Sequence, residues 1–109
     1  MISESQIDSA LDYLRENAAK DADARAARLY LEAYLKTVLS EQATKSGASS
    51  MAAADAIARV SAEYLSALAE WKEAVAEDER RRLMRSAAET MIEAWRTMCS
   101  NLRAEGKAY

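Results

Sequence analysis

Arginines in the second half of the chain are the residues whose type and spacing could bind an anion. The stretch "EDERRRLMR", residues 77–85, places four arginines beside three acids. Because the guanidinium fork matches phosphate oxygens, arginines on one helical face predict a nucleic-acid or partner-binding site. Four arginines fall close to one such face at helical spacing: Arg81, Arg85, Arg96 and Arg103.

A structural interpretation competes with this one. Glu77 precedes Arg81 by four residues, and Asp78 precedes Arg82 by four. Acid-first pairs at this spacing stabilise a helix by about 0.2–0.5 kcal/mol each, with no role in binding. The sequence leaves both interpretations open.

Catalytic and metal chemistry have little basis in the sequence. The chain has no His, and Cys99 is its single Cys, so the usual zinc ligands and a Cys–His nucleophile are absent. We interpret Cys99 as a small apolar filler on a helix. We therefore expect no enzyme activity, no catalytic residues, no metal, no cofactor and no small-molecule substrate.

The composition predicts an all-α protein. Ala occupies 25 of 109 positions, Gly only two and Pro none, so most local preferences favour helix. The net charge of −3 argues against a general polyanion binder. No apolar run approaches the roughly 18 residues of a membrane span, and the start "MISESQID" lacks signal-peptide features. We expect a soluble, cytoplasmic protein that does not bind membranes.

Helix signals divide the chain into three segments within a single domain, residues 1–109. We predict a helix over about 3–44, a linker at 45–50, a short helix over about 50–59 and a long helix over about 61–104. Ser3 with Gln6 forms a capping-box pattern, Gly47 suits a helix end, and Ser61 suits a helix start. The first helix is either continuous or broken near Asp21–Asp23, where an Asp could cap a second segment.

A helix over residues 61–104 would be about 65 Å long, more than twice the width of a compact domain of this size. The predicted fold is therefore an elongated antiparallel helical hairpin with one very long C-terminal helix. Such a thin arrangement leaves apolar surface that another copy would cover, so we expect a homodimer or a higher homo-oligomer.

Two apolar stripes on the long helix supply the predicted oligomer interface. The first stripe includes Trp71 and Val75 beside Tyr64 and Leu68. The second consists of Met84, Ala88, Met91, Trp95, Met98 and Leu102. Either tryptophan could serve as a base-stacking platform, and the methionines could form an adaptable groove for a partner helix, but burial is the more common role of such stripes.

The two stripes are out of phase, since Val75 and Met84 lie on nearly opposite sides of one helix. Either the helix breaks within residues 76–83, or its first half packs on the first helix and its second half on a different partner. Charge also changes there, from net −5 over residues 61–79 to net +4 over residues 80–109. An antiparallel pairing of two such helices, centred on "EDERRRLMR", would place each acidic half on a basic half.

Four stretches resemble a group of short bacteriophage and prophage proteins of about this length: "ALDYLREN", "ARAARLYLEAYLKT", "EYLSALAEWKEAVAEDERRRLMRSAAETMIEAWRT" and "NLRAEGKAY". The resemblance covers nearly the whole chain. It implies an accessory role in phage DNA metabolism, because members tend to be encoded among replication and recombination genes. A Pro often precedes the position of Glu63 in that group, whereas Ala62 stands here.

Three functional hypotheses follow. The first is a non-enzymatic helical oligomer that assists phage DNA replication or recombination by binding DNA or a DNA-handling protein. The second is a small acidic inhibitor of a host protein, acting through Glu70, Glu73, Glu77, Asp78 and Glu79. The third is a purely structural oligomerisation module.

Overall fold

Three helices account for most of the chain. The computed structural model describes residues 1–106, with α1 at Glu4–Lys45, α2 at Met51–Arg59 and α3 at Ala62–Ala104. The all-α prediction is confirmed. The last three residues of the predicted domain lie outside the described residues, and the single-domain organisation stays a prediction.

The helix ends have the local chemistry that the sequence predicts. The Ser3 backbone N–H donates to Gln6 Oε1 at 2.8 Å, and the Gln6 N–H donates to Ser3 Oγ at 3.2 Å, which is a capping box. After α1, Gly47 has a φ of 69°, a conformation that costs a residue with a Cβ about 1–2 kcal/mol. Ser61 Oγ accepts from the Tyr64 N–H at 3.2 Å and so caps α3.

The long first helix has no break. α1 runs for 42 residues through Asp21–Asp23 without interruption, which resolves the alternative that the sequence left open. Within residues 1–106 no helix combines the length and the apolar run needed to cross a bilayer.

Two sets of residues form separate packing units. Unit 1 joins the start of α1, through Asp21, to α3 from Arg80 onward, and unit 2 is Ala22–Glu79. In unit 1, Ile7 shares a cavity wall with Trp95, whereas Asp21, further along α1, contacts Arg81. In unit 2, Arg28 contacts Asp78, and Leu39 shares a cavity with Tyr64. In each unit α1 and α3 therefore pack antiparallel, and the predicted helical hairpin is confirmed.

The packing face of each long helix follows a heptad pattern that we call the inner seam. Steps of three and four residues connect its members, and every member is buried or half-buried. On α1 the inner seam consists of Ile7, Ala10, Leu14, Asn17, Asp21, Ala24, Arg28, Leu31, Leu35 and Val38. On α3 it consists of Tyr64, Ala67, Trp71, Ala74, Asp78, Arg81, Arg85, Ala88, Ile92, Trp95, Cys99 and Leu102.

This continuous seam corrects our interpretation of the two apolar stripes. α3 does not break within residues 76–83, and its second half packs on α1 of the same chain. The first stripe combines seam residues with residues one position later in the sequence, for example Val75 after Ala74. The second stripe combines seam residues with residues one position earlier in the sequence, for example Met84 before Arg85, and these lie on the opposite side of the seam. The stripes looked unrelated because charged residues occupy the seam where apolar ones were expected.

Removing the Ser61 cap should destabilise the protein measurably. We expect Ser61→Ala to lower the free energy of unfolding by about 1 kcal/mol, because the Tyr64 N–H in the first turn of α3 loses its acceptor. Urea unfolding followed by circular dichroism, at one fixed protein concentration, measures this change. The matched control is Ser66→Ala, at an exposed position inside α3 where the same change should be neutral or slightly stabilising. Equal effects of the two variants would contradict the capping role.

Candidate functional site

The inner seam of unit 1 contains a buried carboxylate held by two arginines. Asp21 is only 7% exposed. Arg81 Nη1 lies 3.4 Å from Asp21 Oδ1, and Arg85 Nη1 lies 3.2 Å from Oδ2. Arg85 also approaches Glu89, with its Nε 3.8 Å from Oε1. The two arginines remain partly in water, so the charge of Asp21 is compensated without complete desolvation of its partners.

Unit 2 contains the complementary arrangement, with the arginine on α1. Arg28 Nη1 donates to Asp78 Oδ2 at 3.2 Å and to Glu79 Oε1 at 3.1 Å. Its Nε lies 3.7 Å from Oε1 of Glu32, one turn further along α1. Asp78 is 8% exposed and is the second buried acid among the described residues. Each buried acid therefore has an arginine from the other helix.

Ion pairing strengthens the charged state of Arg28. Hydrogen bonding to Glu79, opposed by partial desolvation and reinforced by Asp78, raises the pKa of the Arg28 guanidinium above its ordinary value. A raised pKa means that this stabilisation is present in full below the unfolded-state pKa and is lost only as the pH rises through the folded-state pKa. Arg28 therefore stays charged throughout the neutral range, and added salt is a better probe of the pairing than pH.

The predicted arginine face is divided by the structure. Arg81 and Arg85 belong to the inner seam and converge on Asp21. Arg96 is exposed and pairs with Glu93 at 3.3 Å, and Arg103 is exposed one heptad further along the same flank. Of these four arginines, only Arg96 and Arg103 are exposed, whereas Arg81 and Arg85 are half-buried. Binding of DNA or a partner by these four residues stays a prediction.

The predicted interface residues also separate into two sets. Trp71, Ala88, Trp95 and Leu102 occupy the inner seam, where they face α1 of their own chain. Met84, Met91, Met98 and Val75 flank that seam. Met84 is 57% exposed, whereas Met91, Met98 and Val75 are half-buried. Their role in oligomerisation stays a prediction.

Sequence reasoning missed Asp21 and Arg28 as functional positions. A signal was present, because both lie seven residues apart on the same heptad positions as Leu14 and Leu35. The apolar pattern alone did not reveal this signal. Between Leu14 and Leu31 the α1 seam consists of Asn17, Asp21, Ala24 and Arg28, so it has no large apolar residue there. Charged residues at seam positions on both helices, with opposite signs in antiparallel register, are the pattern to look for.

Open depressions and possible metal ligands are the remaining features of the described surface. Unit 2 has an open depression of about 430 Å³ that Leu35, Arg59, Tyr64 and Trp71 help to line. The Nε1–H of Trp71 is buried and has no hydrogen-bond partner among the described residues. Arg59 is tied to Asp55 by a 2.7 Å ion pair. Across residues 1–106, His, Cys, Asp and Glu form no group of three or more that could hold a metal ion.

Comparison with known proteins adds no family to this description. Neither protein-family models, nor curated proteins, nor solved structures match the chain.

Replacing the buried carboxylate tests whether it holds the hairpin together. We expect Asp21→Asn to lower the free energy of unfolding by about 2 kcal/mol, because two partly buried guanidinium groups lose their counter-charge. The value lies below that for a fully buried pair, since both arginines remain partly solvated.

Asp23→Asn is the matched control, because Asp23 is exposed two residues further along α1. It should change the free energy of unfolding by less than about 0.5 kcal/mol. Urea unfolding of both variants at one protein concentration provides the measurement. A control as destabilised as Asp21→Asn would show that general helix charge, and not the contact with the two arginines, is responsible.

Proposed function

We propose that the chain is a non-enzymatic helical assembly module that self-associates, and that the assembly serves phage DNA replication or recombination by binding DNA or a DNA-handling protein. The self-association rests on the surface that the hairpin leaves uncovered. The phage context and the bacterial cytoplasm rest on the sequence resemblance.

Excess surface is the observation that carries the self-association. The chain exposes 7785 Å², whereas a compact monomer of 12.0 kDa would expose about 6000 Å². The difference exceeds the roughly 800 Å² that each partner buries in a standard protein interface. A second copy could therefore cover a full interface and still leave a normally solvated surface.

The buried core is correspondingly small. Among the described residues only six apolar side chains are buried, and four of them are alanines. Within residues 1–106 no large side chain is less than 2% exposed. Several large apolar residues are instead more than 40% exposed, namely Leu11, Leu29, Tyr30, Tyr34, Met51, Ile57, Val60, Leu65, Leu83 and Met84. Association would bury part of this surface and add the stabilisation that the small core lacks.

Self-association has a direct test in solution. We expect light scattering and sedimentation to give a mass of at least two chains at micromolar concentration, at both low and high salt. The thermal midpoint should rise with protein concentration, because association stabilises the folded state by mass action. A monomer mass throughout, with a midpoint independent of concentration, would contradict the proposal.

We expect DNA binding to use the exposed arginines Arg96 and Arg103. Arg81 and Arg85 already hold Asp21, so their replacement would confuse DNA binding with folding. We expect Arg96→Ala with Arg103→Ala to weaken DNA binding in a gel shift and to lower the slope of affinity against salt by about two.

The matched control is Arg25→Ala with Lys36→Ala, which removes the same charge from exposed positions of α1. Equal losses in both double variants would indicate a general charge effect. If the wild-type protein shifts neither single- nor double-stranded DNA, a DNA-handling or host protein becomes the partner.

A specific observation favours an acidic binding surface in that case. Unit 2 carries ten acids and six bases, a net charge of −4. The exposed rings of Tyr30 and Tyr34 stack there with centroids 6.1 Å apart. A unit of net negative charge with exposed aromatic side chains suits a basic protein surface, which is the second candidate function.

A further inference from the structure

α3 carries a second heptad line, which lies one residue before its inner seam and beside its contact with α1. Three stretches repeat every seven residues: "LMRSA" at 83–87, "TMIEA" at 90–94 and "TMCSN" at 97–101. We call the methionines and the last residue of each stretch the outer seam. It consists of Met84, Ala87, Met91, Ala94, Met98 and Asn101, at steps of three and four residues.

The outer seam has the properties of an uncovered helix-packing face. It holds no charged residue over about 26 Å of helix. Ala87, Ala94 and Asn101 are exposed, Met84 is 57% exposed, and the other two methionines are half-buried. Its first part borders an apolar groove of about 200 Å³ whose far wall is Ala10 and Tyr13 of α1. Methionines adapt to a facing helix, and small residues let that helix approach closely.

The side-chain sizes determine what fits this face. Each heptad of the outer seam contributes two residues. The first is a methionine and the second is the smaller Ala or Asn, so large and small side chains alternate along the seam. In an antiparallel pair of identical seams, every large position faces a small one: Met91 faces Ala94 of a second copy, and Met98 faces Ala87. A parallel pair would place methionine on methionine and alanine on alanine, which leaves voids between the overfilled layers.

Charge favours the same orientation. In the antiparallel pair that aligns Met91 with Ala94, Arg80 of one copy lies opposite Glu105 of the other, just beyond each end of the uncharged segment. A parallel pair would instead place the two acidic segments, residues 61–79 with net −5 each, side by side. Like charges at an interface oppose association.

We propose that the outer seam is the homotypic interface of this protein, joining two copies through antiparallel α3 helices. The inference rests on the proposed self-association and specifies its surface and direction. The inner seam closes each hairpin, and the outer seam joins two hairpins.

A charge placed in the outer seam tests the surface. Ala94→Glu should weaken dimerisation at least about a hundredfold in sedimentation equilibrium, because two carboxylates would face the apolar partner. Ala69→Glu is the matched control, at an exposed position of the same helix in unit 2, and should leave dimerisation unchanged. Circular dichroism should show equal helicity for both variants, since neither position is buried within the hairpin. A dimer that survives Ala94→Glu overturns the proposal.

Cysteine pairing tests the direction. In a Cys99→Ser background, one variant carries Met84→Cys and another Asn101→Cys, and copper phenanthroline supplies the oxidant. Antiparallel seams put these two positions opposite each other, whereas identical positions lie about 26 Å apart, beyond disulfide reach. We expect a disulfide dimer only when the two variants are mixed.

The outcomes separate this inference from the proposed function. Disulfide dimers from each variant alone would show parallel pairing and overturn the antiparallel seam. No disulfide in any mixture of a protein that still dimerises would place the interface elsewhere. A wild-type chain that is monomeric at all concentrations would overturn the proposed self-association as well.

Discussion

An ionised side chain placed between two helices needs an opposite charge within a few ångströms, because removal from water costs several kcal/mol. This requirement governs the hairpin. Asp21 on α1 meets Arg81 and Arg85, and Arg28 meets Asp78 and Glu79. Along each helix the acid comes before the base. The two orders are complementary only when the helices run antiparallel, since parallel helices in this register would set acid against acid.

The same pairs explain the charge asymmetry of α3. Residues 61–79 carry net −5 and residues 80–109 carry net +4, which suggested pairing between two α3 helices. In the structure α1 provides complementary charge: its residues up to Asp21 carry net −3, and those from Ala22 to Lys45 carry net +1. Asp78, Glu79, Arg81 and Arg85 therefore have partners within their own chain, so these four charges are already used in closing the hairpin.

Local chemistry made the helix positions predictable from sequence. Ser3, Gly47 and Ser61 mark helix ends through interactions with their immediate neighbours, so no tertiary information is needed. The site was harder to predict. Whether Arg81 contacts phosphate, Glu77 or Asp21 depends on a residue sixty positions away in the sequence, and apolar periodicity does not report on it. The two apolar stripes were misinterpreted for a related reason. The inner seam is charged at Asp78, Arg81 and Arg85, between the two stripes, so the apolar residues alone did not show that both stripes border one seam.

The uninterrupted inner seam has a consequence for how such a chain can change in length. Losing one residue between Asp21 and Arg28 would rotate everything downstream by about 100° and turn Arg28 away from its acids. Losing or gaining seven residues would leave the downstream side chains on nearly the same face of α1, but it would shift them along α3 by two helical turns. Insertions and deletions in α1 therefore conserve the hairpin only when α3 changes by the same heptad at the facing position. The linker at 46–50 has no such constraint, so variation in length between related chains should accumulate there.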